Sequence, residues 1–122
     1  MSQNIQSLLM QMNNQLQSQK SDLQNANVVL SDLTIRNQLI DVSLKELQNS
    51  TNEVVWESCG KAFMKVGSKQ YTTKLESEKK DNSNLINDVN KKKNYLETSI
   101  NNTVDNMNKV LDRVEQAHQA SA

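Results

Sequence analysis

The stretch EVVWESCGKAFMKVGSKQY, Glu53 to Tyr71, decides how the rest of the chain folds. It holds the only tryptophan, the only cysteine, the only phenylalanine and both glycines. Val54-Val55-Trp56-Glu57 and Ala62-Phe63-Met64-Lys65-Val66 are two short β-branched and aromatic runs, with Ser58-Cys59-Gly60-Lys61 between them. Such a pair with a central glycine predicts a β-hairpin. Gly67 is expected to break the second strand, and Ser68 to cap a following helix.

Outward from this stretch the sequence is polar and leucine-spaced. Ile5, Leu9, Met12, Leu16, Gln19, Leu23, Ala26, Leu30, Leu33, Asn37, Ile40, Leu44 and Leu47 step by alternating fours and threes. That is an a/d heptad pattern, the signature of a coiled coil. Beyond the hairpin a weaker version runs through Thr72, Leu75, Lys79, Asn82, Ile86, Val89, Lys93, Leu96, Ile100, Thr103, Met107, Val110, Val114 and Ala117.

The two seams fit each other when the chain folds back on itself. Pairing positions whose numbers sum to 119 sets Leu33 opposite Ile86, Leu23 opposite Leu96 and Ile5 opposite Val114. The same register sets Asn37 opposite Asn82, and a seam asparagine is a device for fixing register. Ala26 meets Lys93, whose stem can lie along the seam while its charge reaches water. A shift by one heptad is the alternative register. Helices of this length would each extend about 70 Å. The expected fold is mainly α: a long antiparallel two-helix coiled coil joined by one β-hairpin. The expected layout is a single domain over 1–122. Its helices span about 4–49 and 68–116, its hairpin 53–67, and a polar tail covers 117–122.

Composition agrees. Of 122 residues, 35% are hydrophobic and 3% aromatic, too few bulky side chains for a compact globular core. Disorder usually brings high net charge and proline. Here the net charge is zero and proline is absent. Neutrality argues against broad binding to nucleic acid or anionic membrane. No apolar run approaches the roughly 18 residues that span a bilayer. MSQNIQSLLMQM lacks the basic region and apolar core of a secretory signal. A soluble cytosolic or nuclear protein is expected by elimination, with the cytoplasm taken as the location.

A lone two-stranded hairpin is marginal in water. Two narrow helices cannot cover Val54, Val55, Trp56, Phe63, Met64 and Val66, so these residues are expected to join strands of other subunits. At this point VWESCGKAF, SKQY and KKKNYLET resemble the β-type subunits of prefoldin. The resemblance is good over roughly residues 52–111 and is one of heptad pattern before that. It implies six subunits joining their hairpins into a β-barrel body from which the helix pairs hang. It also implies capture of unfolded polypeptides, notably actin and tubulin, and delivery to the cytosolic chaperonin without nucleotide. The implied partners are other α- and β-type subunits, client proteins and the chaperonin.

No enzyme is expected and no cofactor or metal is called for. His118 stands alone in the polar C-terminal segment. Cys59 has no histidine or second cysteine near it in sequence, so neither a metal site nor a nucleophile is supported. Lys91-Lys92-Lys93 is flanked a turn away by Asp88 and Glu97 and reads as a solvated face. The helix ends carry Leu8, Met10, Met12, Met107 and Leu111, flexible apolar side chains that could repack against many client sequences. The same residues would also serve as ordinary coiled-coil ends. The competing function is a structural tether or adaptor that oligomerises through its hairpin.

Overall fold

The computed structural model describes residues 2–49, 54–59 and 62–120. Side chains are described throughout these spans except at 2, 58, 59 and 62–66. The order is α1 (Ser2–Asn49), β1 (Val54–Cys59), β2 (Ala62–Gly67) and α2 (Ser68–Ala120). The chain is a long antiparallel two-helix coiled coil joined by one β-hairpin, and it divides into two compact units. One comprises residues 29–89, and the other comprises 1–28 with 90–122.

The helices form because their apolar residues repeat at heptad spacing while proline is absent. Every expected seam position of α1, from Ile5 to Leu47, is buried or half-buried. Of the other described side chains on α1 only Ser43 is half-buried, and the rest are exposed. On α2 the seam positions from Thr72 to Val110 are likewise covered. The core is therefore a single row of contacts. Its buried apolar members are Leu16, Ala26 and Leu96 in one unit and Ile40 and Leu75 in the other.

Three boundaries differ from the sequence expectation. α2 continues to Ala120, so 117–120 are helical rather than a polar tail. Val114, expected opposite Ile5, is exposed, and so is Ala117. α1 begins already at Ser2, two residues before the expected start, a difference within the residue or two by which helix ends are defined. Gly67 does not break β2 but pairs with Val54. A Cβ at Gly67 would meet nothing within 4 Å, so close packing does not demand glycine there. The strand passes into α2 at Ser68 with no residue between them.

β1 and β2 pair antiparallel, with Val55 opposite Val66, Trp56 opposite Lys65, Glu57 opposite Met64 and Cys59 opposite Ala62. Each strand is six residues long, so β1 runs two residues past Glu57. Glu53 and the intervening Gly60 and Lys61 lie outside the described residues.

Candidate functional site

Alternate residues of a strand point to opposite faces. Val54 and Trp56 share one face of β1, and both are exposed, Trp56 at 66%. Val55 and Glu57 share the other face and are half-buried. The expectation that this chain's helices leave the whole hairpin uncovered is therefore corrected for one face. Glu57 reaches α2, where its carboxylate accepts a hydrogen bond from the Lys74 ammonium. That contact draws one side of β1 against the helix pair and leaves the Val54 and Trp56 side open. Phe63, Met64 and Val66 lie on β2, but their side chains are outside the described part of the structure.

The sheet has two strands among the described residues, β1 and β2. Each strand therefore offers one backbone edge without a partner among the described residues, a template for strand pairing from elsewhere. An apolar face containing an exposed tryptophan beside two open edges can bind further strands. Among the described residues no group of His, Cys, Asp or Glu could hold a metal ion.

Above the strands, within the 29–89 unit, the seam carries a polar layer. Asn82 Nδ2 donates to Asn37 Oδ1 at 3.0 Å, and Asn37 Nδ2 donates to Ser83 Oγ at 3.4 Å. Asn82 is buried. Surface ion pairs flank this layer: Arg36 with Glu78 and Asp41 with Lys79, each at 2.5 Å. Pairs this exposed contribute little stability, about 0–1 kcal/mol each. The buried amide pair matters more, because an orphaned buried amide costs about 1–3 kcal/mol. Changing either Asn37 or Asn82 alone to Leu should lower stability by about that amount, and changing both should recover it. A double-mutant cycle on thermal or denaturant melts reads the coupling. A coupling energy of zero would remove the pair as the register-setting element.

A second polar layer, in the 1–28 and 90–122 unit, was not anticipated. Thr103 Oγ1 lies 3.0 Å from the Gln19 amide and 2.9 Å from the Ser99 carbonyl. A hydroxyl has one proton, so both contacts are satisfied when Thr103 donates to Ser99 and Gln19 turns its NH2 toward Thr103. The signal was present in the sequence as two polar seam residues one layer out of step, Gln19 and Thr103.

The same unit holds the apolar residues near the helix ends. Leu8, Met10 and Leu111 are 42%, 66% and 48% exposed. Met12 and Met107 are half-buried within the seam. The first three are thus surplus to the coiled coil, while the two methionines belong to it.

A family model described as prefoldin subunit matches residues 1–113. The chain belongs to the prefoldin subunit family. It is also 30% identical over 92 residues to prefoldin subunit 1 of Saccharomyces cerevisiae, an alignment covering 75% of this chain and 84% of the yeast protein. Membership of this family makes the chain a chaperone subunit that associates with other prefoldin subunits. No helix among the described residues is long and apolar enough to cross a membrane.

Proposed function

We propose that this chain is a β-type subunit of a hexameric, ATP-independent co-chaperone. It works in the cytoplasm, holding unfolded polypeptides such as actin and tubulin and passing them to the cytosolic chaperonin. One observation carries the assembly half of this reading: a two-stranded sheet whose Val54 and Trp56 face is uncovered by its own helices. Strands of neighbouring subunits complete that sheet and close it into a barrel. A single hairpin per chain is the pattern of the β type.

The client half rests on Leu8, Met10 and Leu111, exposed beside Met12 and Met107 at the ends of the helices. Thioether and branched aliphatic side chains adapt to many apolar sequences. Nothing in this mode of binding requires nucleotide.

The deciding measurement is native mass. Co-expressed with α- and β-type partners, the chain should enter a defined hexamer that suppresses aggregation of an unfolded client. Expressed alone, it should fail to give that species. A stable dimer or trimer formed by the chain alone, indifferent to the partners, would instead identify a tether.

A further inference from the structure

The seam accounts for the inward face of α1 but not for its outward face. With Leu30, Asn37 and Leu44 at heptad position a, and Leu33, Ile40 and Leu47 at d, positions c and f point away from the partner helix. Position f reads Ser7, Asn14 and Ser21, then changes to Val28, Ile35 and Val42. Position c reads Gln11, Ser18 and Asn25, then Asp32, Leu39 and Glu46. In the 29–89 unit, Ile35, Leu39 and Val42 are 51%, 63% and 56% exposed.

Local propensity does not explain Ile35 and Val42. Valine and isoleucine are poorer helix formers than the Lys, Glu or Gln usual on an open helix face. Nor is the feature shared by α2. Its outward positions in the same unit are Lys74, Ser77, Asp81, Asn84 and Asp88.

Asp32, Ile35, Leu39, Val42 and Glu46 step by three, four, three and four, which is itself a heptad pattern. It is a second seam with an apolar middle and acidic ends. Neither Asp32 nor Glu46 is ion-paired among the described residues, whereas Arg36 between them is already held by Glu78. A surface of this spacing fits a helix with apolar residues at heptad intervals and Lys or Arg at the flanking layers.

The position of the stripe names the source of that helix. One groove involves Leu33, Ile35 and Leu39. A second groove, sharing Arg36 and Leu39 with the first, leads past Ser43 to Glu57 on β1 and to Tyr71 and Lys74 on α2. The stripe thus runs to the Glu57 side of β1, the strand whose other face and free edge are proposed to take partner strands, and it is confined to the unit that carries the strands. We infer that the Ile35, Leu39 and Val42 face of α1 docks a helix of an adjacent prefoldin subunit, forming an interface between helices next to the strand interface. The inference rests on the reading of this chain as one subunit of a complex, and it adds a contact that the strands alone do not supply.

The test uses the complex assembled with its partner subunits and purified without client. A benzophenone amino acid at Leu39 should cross-link to a different subunit, at a helical segment carrying Lys or Arg. In parallel, Ile35→Gln/Leu39→Gln/Val42→Gln replaces exposed apolar side chains with a residue that forms helix as well as Leu and better than Ile or Val. Its circular dichroism should be unchanged, while half-incorporation needs about tenfold more subunit. Normal incorporation of the triple variant would overturn the inference. So would a cross-link that forms only to added unfolded client, only to a second copy of this chain, or not at all. Trp56→Asp separates this contact from the strand reading. If Trp56→Asp assembles normally while Leu39 still cross-links to a neighbouring subunit, the strand reading fails and the helical interface stands.

Discussion

Replacing Trp56 with Asp should abolish entry into the complex while leaving the isolated chain helical. The side chain is 66% exposed in the single subunit, so its own helices lose little when it is removed. Within a strand interface the balance is different. A tryptophan anchor is commonly worth about 2 kcal/mol or more. A carboxylate buried there without a cation costs several kcal/mol beyond that lost contact. Together these exceed a hundredfold in affinity, since about 1.4 kcal/mol is a factor of ten. Aspartate also disfavours strand conformation, by up to about 1 kcal/mol. Trp56→Phe is therefore the control: it keeps an aromatic strand former and should assemble. Phe63→Asp on the paired strand is expected to behave like Trp56→Asp. Native mass spectrometry with the partner subunits reads all three, and normal assembly of Trp56→Asp would remove the strands as the main interface.

The helix ends should show the opposite separation, with the complex intact and client capture weakened. Leu8, Met10 and Leu111 belong to a different compact unit from the strands, and none is a seam residue. Changing all three to Ser removes apolar surface that is about half accessible. At about 1.5–3 kcal/mol for each side chain when fully buried, half of that from three residues still exceeds a tenfold loss in capture. Serine lowers helix propensity only by a few tenths of a kcal/mol per site, too little to melt a helix packed along its seam. On the proposed reading several subunits hold one client, so the loss should appear in full only when neighbouring subunits are trimmed as well. The measurement is aggregation of an unfolded client in the presence of the complex, with mass checked in parallel. Unchanged suppression by the fully trimmed complex would exclude these residues from client binding.

The seam was legible because its signal is redundant. A position such as Leu23 or Leu96 is one of many at the same spacing, and a two-helix core has no other way to bury them. The Asn37 and Asn82 contact was legible for the same reason, since one asparagine in each of two mostly apolar rows can be matched by number alone. Hairpin detail was less so. Glycine weakens strands on average, yet Gly67 pairs with Val54, because six paired residues outweigh one poor strand former. Val55 was expected to be bare, but Lys74 holds Glu57 on the same face, and a contact between strand and helix has no period to reveal it. The outer stripe was written in the sequence at Ile35, Leu39 and Val42. It was hidden because a search for one heptad frame absorbs the stronger pattern and treats the rest as solvent-facing. For the proposed assembly residues the composition of Val54 to Val66 carries the expectation, but which face of β1 stays open depends on the three-dimensional placement of Glu57.

The direct passage from Gly67 to Ser68 has a mechanical meaning. An α-helix turns about 100° per residue, so the azimuth of α2 is geared to the strand that precedes it. One residue inserted at this junction would rotate the Leu75 and Asn82 row out of phase with α1, whereas seven would return it nearly to phase. A neighbour that grips β2 therefore also holds α2 by the shank, and torsion applied at the strand is transmitted to the helix without slack.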